Sequence, residues 1–425
     1  MKPANWKTLP GPENITRVKL QNGIVLLTRS NFNSPSVFLS GYLSAGSMYD
    51  PPEKLGLAYF TALSLMRGTQ QRSFQEIYNT IESAGASLGA GASVHNVNFG
   101  GRALAEDLPM LIDLLAEVLR QPAFPAEQVE RLRSQLLTSL AIRNQDTSDL
   151  AEIAFDELLF PNHPYGRPED GHPETIAAIT AEDLRVFHQR YYDPRSLTIV
   201  VVGAVEAQQA VDLIQKSLGD WQNPDPGGPP CFPAVEEPRQ TIRKHIPVPG
   251  KYQTDLILGT FGPKRVSEDF MPVSLGNSIL GQFGMMGRIG DVIREKTGLA
   301  YQASTSLSAS IEGGSWEVSA GVDPANLQRA IDLIMSELDR FIREPVTAEE
   351  LQDSQANFIG RMPLSLESNA GVANALLNIE RFQLGLDYYL RYPELVMSVT
   401  PESILEAARR YWHLDRLIIV SAGPE

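Results

Sequence analysis

The second half of this chain repeats the first. Residues 180–203 read Thr-Ala-Glu-Asp-Leu-Arg-Val-Phe-His-Gln-Arg-Tyr-Tyr-Asp-Pro-Arg-Ser-Leu-Thr-Ile-Val-Val-Val-Gly, and residues 400–423 read Thr-Pro-Glu-Ser-Ile-Leu-Glu-Ala-Ala-Arg-Arg-Tyr-Trp-His-Leu-Asp-Arg-Leu-Ile-Ile-Val-Ser-Ala-Gly. The offset is 220 throughout, pairing Thr180 with Thr400, Tyr191 with Tyr411, Leu197 with Leu417 and Gly203 with Gly423. Each copy opens with a Thr followed by an acid two residues later, then an amphipathic helix, a turn and a buried strand. Upstream, Ile112-Asp113-Leu114 and Ile331-Asp332-Leu333 lie in apolar-periodic helices at offset 219, and Pro125-Ala126-Glu127 and Thr347-Ala348-Glu349 open the next helix in each half. A unit this long is no solenoid repeat. It is a duplicated domain, and at roughly 100–200 residues per domain the chain has room for two cores.

The join is visible between the copies. Residues 221–240 contain Asn-Pro-Asp-Pro-Gly-Gly-Pro-Pro and then Cys-Phe-Pro, without hydrophobic periodicity, which reads as an extended, semi-stiff linker. The expected organisation is therefore a domain over 1–220, a linker over 221–240 and a second domain over 241–425. Strand-like runs fall at 24–28, 36–43, 92–103, 196–203, 254–261, 299–308, 315–321 and 416–421. Helical runs fall at 55–66, 76–85, 106–120, 126–143, 149–159, 181–190, 269–280, 286–296, 325–343, 348–359, 367–384 and 401–411. Strands come in adjacent groups and helices in series, which favours an α+β fold over an alternating parallel one.

Composition removes several function classes. With 36 Lys and Arg against 51 Asp and Glu the net charge is −15, which argues against non-specific nucleic-acid binding and is compatible with a cationic peptide partner. The single cysteine, Cys231, allows neither an intrachain disulfide nor a cysteine metal site. No apolar run approaches the roughly 18 residues a membrane span needs. Met1-Lys2-Pro3-Ala4-Asn5-Trp6 lacks a secretory h-region, so a cytoplasmic protein is expected.

Three segments carry a resemblance. They are Gly56-Leu57-Ala58-Tyr59-Phe60-Thr61-Ala62-Leu63-Ser64-Leu65-Met66-Arg67-Gly68-Thr69, Phe160-Pro161-Asn162-His163-Pro164-Tyr165-Gly166-Arg167-Pro168, and Ile293-Arg294-Glu295-Lys296-Thr297-Gly298-Leu299-Ala300-Tyr301. Together with the repeat they resemble the pitrilysin (inverzincin) metallopeptidase family, in its mitochondrial-processing-peptidase-like branch, over nearly the whole chain. The resemblance implies two homologous α/β-roll domains, each a mostly antiparallel sheet packed with helices, forming a clam-like shell. Catalytic members carry H-x-x-E-H on the first of these segments. Two His one helical turn apart bind zinc, the Glu is general base to the metal-bound water, and a further Glu about 76 residues on completes the site. Here those seats hold Tyr59, Ala62, Leu63 and Ser139. Ala and Leu offer no donor atom, and neutral Tyr and Ser are poor zinc ligands, so segment 55–66 reads as a buried helix with an apolar stripe. None of His95, His163, His172, His188, His245 and His413 stands in H-x-x-x-H spacing, so no replacement metal site is read.

The second half keeps what the first has lost. The family's C-terminal domain supplies an Arg and a Tyr seven residues apart that meet substrate, and Arg294 and Tyr301 have that spacing. By resemblance, Arg294 hydrogen-bonds a substrate carbonyl and Tyr301 donates to the developing oxyanion. The other reading is structural: Arg294 and Lys296 as cations at a helix C-terminus capped by Gly298, and Tyr301 as a strand aromatic. The run Gly281-Gln282-Phe283-Gly284-Met285-Met286-Gly287-Arg288-Ile289-Gly290 reads as a mobile loop entering a helix. It lacks the Lys-Ser/Thr of a nucleotide loop, and the resemblance makes Gly284 and Gly287 part of a substrate-admitting loop. Residues 90–100 match the edge strand on which catalytic relatives pair the substrate backbone; a plain sheet edge is the alternative.

The expectation is a non-catalytic, substrate-binding subunit of a heteromeric zinc endopeptidase acting on peptides or unfolded segments. A homologous catalytic partner with an intact zinc motif would hold the zinc, and this chain would bind no metal, nucleic acid or membrane span of its own. A structural scaffold or a homodimeric peptide-binding protein is the alternative.

Overall fold

The computed structural model describes residues 9–232, 234–284 and 287–425; Met1–Thr8, Pro233 of the linker and Met285–Met286 of the glycine-rich run lie outside them. The first half runs β1 (Thr16–Lys19), β2 (Val25–Ser30), β3 (Ser36–Leu43), α1 (Leu57–Ser64), α2 (Phe74–Ser83), β4 (Ser87–Ala92), β5 (Val97–Leu104), α3 (Leu108–Arg120), α4 (Ala126–Arg143), α5 (Thr147–Leu159), α6 (Pro173–Ala178), α7 (Ala181–Tyr191), β6 (Thr198–Gly203) and α8 (Ala207–Leu218). The second runs β7 (Ile242–Pro247), β8 (Thr254–Gly262), α9 (Phe270–Gly281), α10 (Gly287–Gly290), a π-helical turn (Asp291–Lys296), β9 (Ala300–Leu307), β10 (Gly314–Val322), α11 (Leu327–Arg343), α12 (Ala348–Ser365), α13 (Asn369–Arg381), α14 (Tyr388–Met397), α15 (Pro401–Tyr411) and β11 (Ile418–Gly423).

One sheet has the strand order β1-β2-β6-β3-β5-β4 and the other β7-β11-β8-β10-β9, so the same order occurs twice with β1 added. Both are antiparallel except at β2/β6 and β7/β11. This is the α+β architecture the pattern predicted. The repeat extends to its caps: Thr180 Oγ1 accepts from the Asp183 N–H and Thr400 Oγ1 from the Ser403 N–H, both at 3.2 Å. One predicted strand is corrected. Residues 92–103 are not one strand but the end of a hairpin, turning where the Ser93 N–H donates to the Asn96 carbonyl at 2.8 Å. Its first arm, Ser-Leu-Gly-Ala-Gly-Ala, is too poor in β-branched residues to announce itself.

The chain forms two compact units. Unit one takes the residues up to Leu140, Pro168–Cys231 and Pro363–Leu390; unit two takes Ala141–Arg167, Phe232–Met362 and Arg391–Glu425. Each unit thus includes one helix from the other copy of the repeat. α5 lies on β8 and β11, where Ala151, Ala154, Phe155 and Leu159 pack on Ile257, Ile418, Val420 and Ala422. Gly259 is required there, because a Cβ on it would come 2.8 Å from the Phe155 ring. α13 lies on β3 and β6 with Val372, Ala373, Leu376 and Ile379 buried. Strands β6 and β11 are therefore covered on both faces and buried at every position, which is why their sequences are mostly apolar rather than alternating. The main core of unit one includes Leu26, Leu39, Phe60, Leu115 and Ile199. That of unit two surrounds Trp316, whose Nε1 donates to Asn277 Oδ1 at 2.9 Å.

Candidate functional site

Helix α1 starts at Gly56, left-handed at φ +90°, and its first N–H groups are held by a buried carboxylate: Gly56 N and Ala58 N each donate to Asp50 at 2.8 Å. This capping fixes the rotation of a short helix, and with it the half-buried pair Tyr59 and Leu63, one turn apart on one face. Ala62, the position that the resemblance matches to the general base, is 0% exposed. Ser139 is exposed on α4. Sequence reasoning missed two acids beside this helix. Burial raises the pKa of the Tyr59 hydroxyl, with Asp170 and then Glu169 adding to it. Burial also pushes up the carboxyl of Glu169, which accepts from the Val94 N–H at 2.9 Å. Among the described residues no group of three or more His, Cys, Asp and Glu is placed to hold a metal ion. The side chains at the four positions that the resemblance matches to the zinc site do not fit zinc, since Ala62 and Leu63 have no donor atom and fully buried Ala62 leaves no room for a carboxylate without repacking.

The structure brings Arg294 and Tyr301 together. The π-helical turn buries Ile293 and leaves Arg294 half-exposed. The turn closes through Gly298 at φ +62°, whose N–H donates to the Arg294 carbonyl at 3.0 Å, with the Leu299 N–H on the Ile293 carbonyl at 2.9 Å. The chain then reverses into β9, and the Arg294 guanidinium stands 5.9 Å from the centroid of the Tyr301 ring. Arg294 Nε also lies 3.2 Å from a Glu295 carboxylate oxygen. β9 is an edge strand, and its register breaks at this point: Ala303 pairs with Ala320 but Ala300 pairs with Val322, so Tyr301 and Gln302 together oppose Gly321. Strict alternation from buried Ala303 would turn Tyr301 inward. The bulge instead turns Ala300 inward and leaves Tyr301 91% exposed.

Gly284 and Gly287 are both left-handed, at φ +61° and +63°. Among the described residues nothing comes within 4 Å of a Cβ on Gly284, whereas a Cβ on Gly287 would lie 2.6 Å from the Ile279 carbonyl oxygen. The run read as a mobile loop, 281–290, includes Met285 and Met286, which lie outside the described residues. The next residue, Arg288, was not singled out from sequence. It is 10% exposed and forks onto Glu350 at 2.7 and 2.6 Å, tying α10 to the start of α12. Glu350 also accepts the Thr347 N–H at 2.8 Å, the capping box foreshadowed by Thr347-Ala348-Glu349-Glu350. In unit one, β4 is the edge of its sheet, so the edge within segment 90–100 is its first three residues, with β5 paired on both sides.

Residues 25–168 match the family described as insulinase (peptidase family M16), and residues 178–358 match the peptidase M16 inactive domain. An uncharacterized zinc protease of Streptomyces coelicolor is 26% identical over 407 residues, 94% of this chain and 87% of that protein. Another, from Bacillus subtilis, is 24% identical over 83% of this chain and 85% of its own length. The crystal structure of a peptidase M16 inactive domain from Pseudomonas fluorescens superimposes with a TM-score of 0.89 at 27% identity, covering 97% of this chain and 98% of that one. A protease from Helicobacter pylori gives a TM-score of 0.88 at 20% identity over 96% and 99% of the two chains, a likeness of fold. With both halves matched and the same sheet order built twice, the chain belongs to peptidase family M16.

Proposed function

We propose that this protein is the non-catalytic, substrate-binding subunit of a two-chain zinc endopeptidase. The observation that carries the reading is the contrast between two sites. Helix α1 presents Tyr59, Ala62 and Leu63, of which only the poorly ligating tyrosine has a side-chain donor atom, while Arg294 in the π-helical turn stands beside Tyr301 on the edge strand β9, with the tyrosine facing solvent. In this reading a homologous partner chain holds the zinc and its water. Arg294 grips a carbonyl of the bound peptide as a fixed cation, and the Tyr301 hydroxyl donates to the oxygen that becomes anionic as the scissile carbonyl turns tetrahedral. β4 supplies a second contact, its free edge pairing with the backbone of an extended substrate.

The test is reconstitution with the catalytic partner. This chain alone cleaves nothing and the pair cleaves peptides. Arg294→Ala and Tyr301→Phe in this chain each lower turnover by about ten- to a thousand-fold, the range for a lost oxyanion donor. Unchanged turnover in both variants overturns the proposal and leaves the scaffold reading in its place.

A further inference from the structure

Three strands of unit one line up by register: Tyr42 on β3 opposes Asn98 on β5, which opposes Gly91 on β4. One step along, Ser40 opposes Gly100, which opposes Gly89. These residues share the sheet face on which α13 sits, and α13 covers that face over β3 and β6. Among the described residues nothing covers this face over β4: a Cβ at Gly89 or Gly91 would meet none of them within 4 Å.

The last residue of α13, Arg381, reaches the boundary of this open area. Its guanidinium carbon stands 4.6 Å above the Tyr42 ring and its Nη2 donates to Asn98 Oδ1 at 2.9 Å. Among the described residues no carboxylate lies within ion-pair distance of it, and its Nε has no acceptor. The neighbouring acid, Glu380, is engaged elsewhere, held by Arg17 at 2.7 and 2.8 Å. A half-buried guanidinium without a counter-ion has lost hydration without replacing it, so a carboxylate arriving from the open side is strongly favoured.

We infer that unit one selects a glutamate side chain on a peptide lying along β4, with Arg381 as its counter-ion and Gly91 as the gap through which it reaches. This rests on the peptide-binding reading above. A peptide strand added to β4 lies about 4.8 Å beyond it, so its backbone is about 10 Å from that of β5. The peptide residue opposite Gly91 projects its side chain onto the same face as Asn98, and only the absent side chain of Gly91 lies between. Glutamate spans that distance better than the shorter aspartate. The chain's net charge of −15 does not oppose this, because charges beyond about 8 Å are screened at physiological salt.

The test is fluorescence anisotropy on the full chain with two labelled Thr- and Val-rich synthetic peptides that differ only by a central Glu or Gln. The Glu peptide is expected to bind about tenfold more tightly, with the preference shrinking at high salt. Arg381→Gln and, separately, Gly91→Val should each abolish the preference. The valine occupies empty space at an unstrained strand position, so it leaves the fold and Arg381 in place. Arg381→Glu should transfer the preference to a peptide with a central Lys. Equal binding of the Glu and Gln peptides to the wild-type chain, or a preference that survives Arg381→Gln, overturns this inference alone. Failure of both peptides to bind overturns it together with the strand-pairing part of the proposed function.

Discussion

Substituting Glu350 by Gln tests how the segment bearing Arg294 and Tyr301 is held. Arg288 sits among Glu350, Glu337 at 3.8 Å and the Phe341 ring at 5.8 Å, in the helix that leads directly into the π-helical turn bearing Arg294. Burial alone would raise the Glu350 carboxyl, but the Arg288 fork and the Thr347 N–H outweigh it and hold its pKa at about 2. Against an ordinary value near 4.5 that difference corresponds to about 3 kcal/mol, or about 2 kcal/mol after allowing for partial exposure. The folded-state pKa is depressed, so this stability is present above about pH 4.5 and is lost as pH falls toward 2. Glu337, whose pKa burial raises despite Arg340 and Arg288, acts in the opposite sense, and since Glu350 adds to that rise the Gln variant reduces it. Calorimetry at neutral pH should show the unit-two transition of Glu350→Gln lowered by about 4–8 °C. Hydrogen exchange should increase over residues 287–301. The gap from wild type should narrow as the solution is acidified from about pH 4.5. A variant within about 0.5 kcal/mol of wild type at neutral pH, or a gap that widens on acidification, would refute the reasoning.

Two further outcomes follow from burial. Ala62→Glu should destabilise unit one by more than about 2 kcal/mol in thermal melts, because it places a carboxylate where there is no exposure, whereas Tyr59→His should lower stability by only about 1 kcal/mol. His188, whose pKa burial lowers to about 4 despite its bond from Nε2 to the Leu119 carbonyl at 2.9 Å, stays neutral in the fold. Wild-type stability should therefore fall as pH drops from about 6.5 toward 4, and His188→Gln should flatten that limb in urea titrations across the range.

Much of this architecture is legible in the sequence because a duplication is a long-range signal. The match of Thr180 to Thr400 and Gly203 to Gly423 establishes two like domains before any strand is drawn, and the repeated sheet order agrees with it. What the repeat cannot show is which sheet a helix covers. α5 and α13 are amphipathic in the ordinary way, and nothing in 3.6-residue periodicity says that Phe155 meets Gly259 more than a hundred residues on. The altered zinc seats and the Arg294/Tyr301 spacing are local patterns, visible once the family's motifs are laid on the chain. The bulge that turns Tyr301 outward is invisible, since Ala300-Tyr301-Gln302-Ala303 carries no glycine to mark it. The Arg288–Glu350 fork and the Arg381–Asn98 hydrogen bond are tertiary meetings of residues far apart in sequence. Only the capping box at Thr347 gave Glu350 a sequence signal at all.

The exchange of α5 and α13 makes the two halves of the polypeptide mutually dependent. While the ribosome has released only the first copy, the outer faces of β3 and β6 lack their helix and Phe155 has no sheet to enter, so neither unit closes until the second copy has emerged. Expressing residues 1–220 by themselves should yield an aggregation-prone fragment. Conversely, a protease that nicks the Pro/Gly-rich join of the mature protein should release nothing, because each fragment keeps one helix clasped in the other's sheet.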